Sequence, residues 1–419
     1  MRLRLKTATL RRVCLLYLAW LASAASANAA DAFDPATGQL TIDAIVLDAT
    51  LYRAVVVVPA SVISFSNAPP TVSADSFDGA TGRLTLRSVS VGGTAYSDVV
   101  LTVATVVSVG SATLTSQLDD ATRAQAAGAT ATSSTNACAA IAPFYWEVGD
   151  KSRLLGSGSV NKAGSATSYT ATSLMAVASA SKWLYGSYVV ERRNGQLTPE
   201  DVRFLTFSSG YTQMPVAGCA RADTVASCAE RDNNGVPDPA TVDKFYYNGG
   251  HMQKHASLAT GMNLGALDNA ALAAEMTRVL GADVALAYSQ PQLAGGVFTN
   301  AKNYAVLLRK LLGRQLQMSD LLGSHAVCTN PSTCPSAVYS PFGGSFHYSL
   351  GHWVEDDPVT GDGAFSSAGL FGFYPWINAS KTYYGIVSRF DASGAGAGAA
   401  SVACGARVRK AWMTGVALH

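Results

Sequence analysis

A ten-residue stretch near the start of the chain returns 44 positions later. Phe33-Asp34-Pro35-Ala36-Thr37-Gly38-Gln39-Leu40-Thr41-Ile42 is echoed by Phe77-Asp78-Gly79-Ala80-Thr81-Gly82-Arg83-Leu84-Thr85-Leu86. The correspondence continues at Ile45/Val89, Leu47/Val91, Tyr52/Tyr96, Val55/Val99 and Val57/Leu101. Repetition at a fixed period means one supersecondary unit used twice. Each copy has a Thr-Gly turn followed by alternating β-branched residues, the pattern of a turn and two or three strands. Residues 31–115 are therefore expected to form a small all-β domain, either a sandwich or one meandering sheet. It holds no cluster of titratable groups and reads as a spacer or a binding module, with contact to a cell-envelope component or polymer as its candidate partner.

Residues 116–137 are rich in Ala, Thr and Ser, with almost no large apolar residue after Leu118, and read as a linker. From Cys138 to His419 the composition supports one large domain. A hairpin is expected from Pro143 to Val148 and Arg153 to Val160, and helices at Asn303–Leu312 and Cys404–Met413. Strands are expected at Phe346–Glu355, Ala368–Ile377 and Thr382–Phe390. Strands at both ends around a helical middle indicate an α+β fold.

The first thirty residues read as a secretory signal. Arg2, Arg4, Lys6, Arg11 and Arg12 form a basic start, Val13 to Leu21 is apolar but too short to span a bilayer, and Ala25 to Ala30 offers small residues for cleavage. The mature chain is then expected in the periplasm or outside the cell. The full chain has 30 basic and 28 acidic residues; the signal holds five of the basic and none of the acidic ones, leaving a net charge of −3 on the remainder. That balance gives no basic face for nucleic acid. Six cysteines remain beyond the signal. An even count in an exported chain favours disulfides, and of the fifteen pairings, nearness in sequence points to Cys219–Cys228 and Cys328–Cys334 as short local loops, with Cys138–Cys404 then tying the two ends of the large domain together. No Cys-x-x-Cys pair marks a metal site.

Ser179-Ala180-Ser181-Lys182 lies where an amphipathic helix begins, with Trp183, Leu184, Tyr185, Tyr188, Val189 and Val190 at helical spacing and Asn194-Gly195 as the stop. Three residues is about one helical turn, so the hydroxyl and the amine share a face. Burial lowers a lysine pKa, and a neutral amine can activate a serine for acyl transfer. A second match, Ser159-Val160-Asn161-Lys162, falls in a run that reads as strand or turn. The bland alternative for Ser179 is a helix-capping serine with a solvated lysine. Downstream, Tyr246-Tyr247-Asn248 offers a phenol at Tyr246 to relay a proton and a carboxamide at Asn248 to bind an acyl group. Ser367-Ala368-Gly369-Leu370 offers small residues along which a substrate can lie, and the Leu370 N–H can join that of Ser179 as an oxyanion hole. Taken singly, the last two elements read as core tyrosines and a tight packing site.

In this order the three elements resemble the serine β-lactamase and penicillin-binding-protein-like family, in its class C β-lactamase and esterase branch. Arg193-Asn194-Gly195-Gln196-Leu197-Thr198, Gly295 to Tyr304 and Tyr348-Ser349-Leu350-Gly351-His352-Trp353 resemble supporting segments of that family. The resemblance covers about 280 residues. It implies an antiparallel sheet with flanking helices and an all-helical subdomain, preceded here by the all-β repeats. Ser179, Lys182 and Tyr246 would be catalytic, and Asn248, Ser367, Gly369 and Leu370 would bind substrate, with no cofactor or metal. The chain would act through an acyl-enzyme on a small or peptide-like ester or amide. Ser367 stands where the family has Lys or His, so the cation that receives a β-lactam carboxylate is missing and β-lactamase activity is disfavoured. The alternative is a non-catalytic envelope- or polymer-binding protein on the same scaffold.

Competing patterns are weaker. His251-x-x-x-His255 has Met252 where the zinc-protease motif needs Glu, and Asp232-Asn233-Asn234-Gly235 lacks the distal Glu of a calcium loop. No Gly-x-Ser-x-Gly elbow occurs.

Overall fold

The computed structural model describes residues 31–72, 74–393 and 396–419. The secretory signal read in residues 1–30 lies outside them. The chain divides into two compact units, one running to Asn136 and taking back Lys410–His419, the other Ala137–Arg409.

In the first unit the repeat sets the strands. β1 (Asp31–Asp34), β2 (Gln39–Leu47) and β3 (Thr50–Ser66) are followed by β4 (Ser76–Asp78), β5 (Arg83–Val91) and β6 (Thr94–Leu114). They form one six-stranded sheet in the order β1-β2-β3-β6-β5-β4, with β1 also pairing in parallel to β5. Of the two arrangements left open by the sequence, a single sheet is the one present, but it is not one meander: each copy is a three-stranded meander, and the two copies join through β3 and β6. Turn chemistry repeats as well: Asp34 accepts from the Ala36 N–H at 2.8 Å, Asp78 from the Ala80 N–H at 2.9 Å, and Gly38 and Gly82 supply positive φ of 69° and 67°. The buried residues obey the same period, Leu40/Leu84, Ile42/Leu86, Ile45/Val89, Val55/Val99 and Val57/Leu101. Period-2 alternation thus delivers one shared apolar face from both copies.

The segment 116–137 is not an extended linker. Asp120–Thr132 is a helix, opened by the Asp119 side chain accepting from the Thr122 N–H, with Ala126, Ala127 and Ala131 buried. Alanine has the best intrinsic helix propensity, and its methyl groups suffice for close packing. Arg123 ties this helix to the chain's end through the Trp412 carbonyl at 2.8 Å. That return of the last ten residues to the first unit is a second difference from the sequence reading.

The second unit is α+β. Its strands are β7 (Phe144–Gly149), β8 (Leu154–Val160), β9 (Met175–Ala176), β10 (Phe245–Tyr246), β11 (Ala287–Tyr288), β12 (Val297–Thr299), β13 (Val327–Cys328), β14 (Ala337–Tyr339), β15 (His347–Ser349), β16 (His352–Glu355), β17 (Ala364–Ser366), β18 (Tyr374–Ile377) and β19 (Tyr384–Ser388). Among the described residues, the main sheet has the order β13-β15-β16-β17-β18-β19-β7-β8. Every neighbour in it is antiparallel. Helices, among them Ser181–Arg192, Gly250–Ser257, Asn269–Leu280 and Ala301–Leu312, alternate with the short strands β9 to β12 in the sequence between β8 and β13, and the helix Ala397–Thr414 follows β19.

Two expected strands are broken. Phe346–Glu355 is a hairpin turning at Leu350-Gly351, and Ala368–Ile377 contains a loop before β18. In each, a glycine at positive φ interrupts the ladder, Gly351 at 86° and Gly372 at 103°. The three disulfides are Cys138–Cys404, Cys219–Cys228 and Cys328–Cys334, the pairs expected from the sequence.

The helix Ser181–Arg192 is buried on all sides from Ser181 to Val190, which makes it the centre of the core rather than a surface element. It approaches the sheet at two glycines. A Cβ on Gly186 would lie 2.2 Å from the Leu350 carbonyl oxygen, and one on Gly351 would lie 2.5 Å from that of Lys182. Only backbone without a side chain fits there, so the helix is held at a fixed height over the β15–β16 turn.

Candidate active site

Ser179 lies in a single 3-10 turn, Ala178–Ala180, that leads into the helix Ser181–Arg192. Ala178 has φ of 45°, a left-handed conformation that costs free energy in a residue with a Cβ. The surroundings pin the turn in place. The Val177 N–H donates to the Val297 carbonyl at 3.0 Å, the Tyr304 hydroxyl to the Ala180 carbonyl at 2.8 Å, and the Val297 N–H to Ser181 Oγ at 3.2 Å. Ser179 itself stays partly exposed.

Lys182 is 4% exposed, and its Nζ is 2.8 Å from Ser179 Oγ and 2.8 Å from the Ala294 carbonyl oxygen. Burial lowers its pKa to about 7. The rival pair is dispersed: Ser159 Oγ donates to the Tyr169 carbonyl, and Lys162 is exposed.

The tyrosine at the site is Tyr247, not Tyr246. Its ring centroid is 4.9 Å from Lys182 Nζ, and Ser179 and Trp353 are the polar neighbours of its hydroxyl. Burial raises its pKa to about 12, with Ser179 and Trp353 opposing that rise. Tyr246 packs instead against Tyr339, with ring centroids 5.3 Å apart. The reason is alternation in an extended segment. Phe245 and Tyr247 face the same way, onto Tyr348 and Trp353, and Tyr246 faces the other.

Asn248 also differs from its expected place. Its amide donates to the Met214 carbonyl at 3.0 Å and its Oδ1 accepts from the Gly250 N–H at 2.8 Å. It braces the loop that carries Tyr247. Ser367 is 2% exposed, and its hydroxyl donates to the Ser179 main-chain carbonyl at 3.0 Å. Gly369 is required by contact, because a Cβ there would lie 2.2 Å from the Val177 carbonyl oxygen. The Ser367 and Gly369 N–H groups donate to Pro375 and Phe373 of the β18 side. Leu370 then lies in the turn that the Gly372 N–H closes on the Gly369 carbonyl at 3.0 Å.

Ala294 escaped the sequence reading because a main-chain carbonyl leaves no side-chain signature; the neighbouring Gly295-Gly296 pair was its only trace. The two histidines do not converge. His251 engages Ser209 Oγ and the Tyr246 carbonyl, while His255 engages the Tyr185 hydroxyl and Asp201. Burial drives the His251 pKa down to about 3. Asn234 holds the Gly218 and Cys228 carbonyls as part of a turn. No group of three or more His, Cys, Asp or Glu among the described residues is arranged to hold a metal.

No protein-family profile matches the chain. No curated protein matches it either. Solved structures do. EstCE1, a hydrolase with promiscuous acyltransferase activity, is 11% identical over 70% of this chain and 99% of its own, with a TM-score of 0.49. The octameric penicillin-binding protein homologue from Pyrococcus abyssi is 12% identical over 66% and 74%, with a TM-score of 0.47. A β-lactamase from Mycobacterium bovis is 14% identical over 64% and 96%, with a TM-score of 0.43. The likeness of the chain to this β-lactamase, penicillin-binding protein homologue and hydrolase is one of fold.

Proposed function

We propose that this chain is an exported serine hydrolase that cleaves an ester or amide through an acyl-enzyme. The observation that carries the reading is the 2.8 Å contact between Ser179 Oγ and Lys182 Nζ, in a burial that leaves much of the amine neutral near pH 7. Ser179 Oγ attacks the carbonyl carbon, and Lys182 takes its proton. The N–H groups of Ser179 and Leu370 receive the charge that develops on the carbonyl oxygen. The bond to the leaving group breaks, and Tyr247 passes the proton to the departing oxygen or nitrogen. Water then attacks the acyl-enzyme by the reverse relay and frees Ser179.

In this reading Asn248 and Ser367 are positioning residues, since each spends its polar atoms on the backbone of the site. Ser367 brings no charge, which supports esters and amides of uncharged substrates over β-lactams. Three disulfides support export, and no helix among the described residues is long and apolar enough to cross a membrane. The N-terminal repeats serve as a spacer or a polymer contact.

The test is labelling by a fluorophosphonate probe and turnover of p-nitrophenyl butyrate, each repeated with Ser179→Ala. Loss of both in the variant supports the reading. Labelling that survives Ser179→Ala removes the nucleophile assignment. A wild-type chain that neither labels nor turns over favours a binding protein on this scaffold.

A further inference from the structure

The third strands of the two repeats, β3 and β6, hold equivalent places in the sheet but differ at their outer edges. Each pairs with its own hairpin partner along only half its length. β2 meets β3 from Leu47↔Thr50 to Leu40↔Val57, and β5 meets β6 from Val91↔Thr94 to Arg83↔Thr102. The remaining halves cross onto each other, because β3 and β6 pair antiparallel from Thr50↔Leu114 to Ser66↔Ser97. Beyond Thr102, β6 therefore has β3 on one edge and no strand of the described residues on the other.

In the first copy the corresponding edge is blunted. Pro59 stands at its start, and the register breaks repeatedly from Val56 to Ser66. Proline and irregular pairing are devices by which sheets protect an edge. The second copy has neither safeguard there. The 44-residue offset puts Val103 in the place of Pro59, and Ser108–Leu114 keeps one register against Thr50–Val56. No charged residue and no proline occurs from Val99 to Leu118. Val106 and Val107 are consecutive and are 57% and 48% exposed, so both faces of the strand are open. Val109 and Leu114 are exposed as well. At about 3.3 Å per residue, the edge of residues 104–114 runs about 36 Å, about twice an ordinary strand. A long, neutral edge rich in Val and Thr is a template for one more strand.

The occupant that fits is a second copy of the same edge. β3 and β6 are the same strand of two repeats and already pair antiparallel, so like-with-like pairing is the join that holds this unit together. An antiparallel pair of identical strands is related by a two-fold axis, the commonest symmetry of oligomers. Like charges placed opposite each other destabilise a strand pair, and this edge carries none. We infer that the chain forms a two-fold dimer in which residues 104–114 of β6 pair antiparallel with the same segment of a second copy. The pairing uses the first unit alone.

Sedimentation equilibrium of the purified full chain tests it. The expected result is a mass that rises with concentration from one chain to two. Val107→Lys puts two like charges along the paired edge and should raise the dimer dissociation constant at least about tenfold. Ile63→Lys, on the blunted β3 edge, should leave it within about twofold. Both side chains are exposed, so both variants should fold, which circular dichroism checks. Hydrogen exchange adds a local readout: amides of residues 104–114 should gain protection with concentration in the wild type and not in Val107→Lys. A monomer at every concentration overturns the pairing, as does a dimer that Val107→Lys leaves intact or that both variants weaken equally. A monomer whose capture on insoluble peptidoglycan is lost in Val107→Lys would make the edge a polymer contact and likewise overturn the dimer.

Discussion

Lys182 Nζ donates to the Ala294 carbonyl at 2.8 Å and also lies 2.8 Å from Ser179 Oγ. The carbonyl takes one N–H of the amine. In the neutral amine this leaves the lone pair free to turn toward the serine. A main-chain oxygen of the loop before β12 thus orients the base, and it adds no charge that would hold the lysine protonated.

The pKa of about 7 makes activity pH-dependent in a defined sense. The base form is the neutral amine, so kcat/KM for an uncharged ester should rise through pH 7 and level off above about pH 8. Stability has its own sign. The folded pKa lies below the unfolded value of about 10.4, so the unfolded chain binds more protons between those two values. Stability from this group therefore rises with pH from about 7 to about 10, and its cost is full below pH 7. Lys182→Met should abolish turnover and raise Tm most at pH 6, with the gain fading by pH 10. A uniform gain across that range would contradict the buried-amine account.

Tyr247→Phe and Tyr246→Phe distinguish the two neighbouring phenols. Removing a general acid–base group costs about 10²- to 10⁴-fold. Tyr247→Phe should lose at least 100-fold in kcat by that measure, whereas Tyr246→Phe, which keeps its ring against Tyr339, should remain within about threefold. Steady-state kinetics on p-nitrophenyl butyrate decides it, and the reverse ranking would return the relay to Tyr246.

The limits of the sequence reading have physical causes. The repeat was legible because period 2 and the 44-residue offset act together, placing Leu40 and Leu84 or Val57 and Leu101 in one core. Ser179 and Lys182 were legible because helical geometry ties residues three apart. Tyr247 was not, since a Tyr-x-Asn pattern fixes residue types but not which way a two-residue strand turns. Only the tertiary partners of Phe245 settled that. The helix Asp120–Thr132 was missed because Ala and Thr without large apolar residues resemble a linker in composition. Its burial depends on a C-terminal segment almost 300 residues away.

Ser367 shows what replaces the missing cation. Its hydroxyl is the polar partner that the strand side of the site gives to the Ser179 carbonyl. Ser367→Ala should lower stability by about 1 kcal/mol, the net worth of one buried hydrogen bond, because the Ser179 carbonyl keeps the Ser181 N–H as a donor. The activity loss should be about tenfold and lie mainly in kcat, because the affected group positions the nucleophile and does not bind the substrate. Urea denaturation with parallel kinetics checks both. A change in KM alone would mean that Ser367 faces the substrate after all.

Behind the same strand lies a buried ionic cluster. Arg409 is 2% exposed; its guanidinium donates to Glu355 at 2.7 Å, to Asp362 at 2.7 and 2.9 Å, and to the Tyr374 hydroxyl at 2.7 Å. Glu355 also accepts from the hydroxyl of Ser366, the residue next to Ser367. The cluster thereby joins β16, β17, β18 and the C-terminal helix beneath the active-site edge. Breaking a buried pair by removing one partner strands the other charge, at a cost of about 3 to 5 kcal/mol. Arg409→Met should show that loss in urea denaturation. Arg409→Met combined with Glu355→Gln should recover part of it, because the uncompensated carboxylate is gone. If the double variant is as unstable as the sum of the two single ones, the two residues are not coupled and the cluster does not act as one unit.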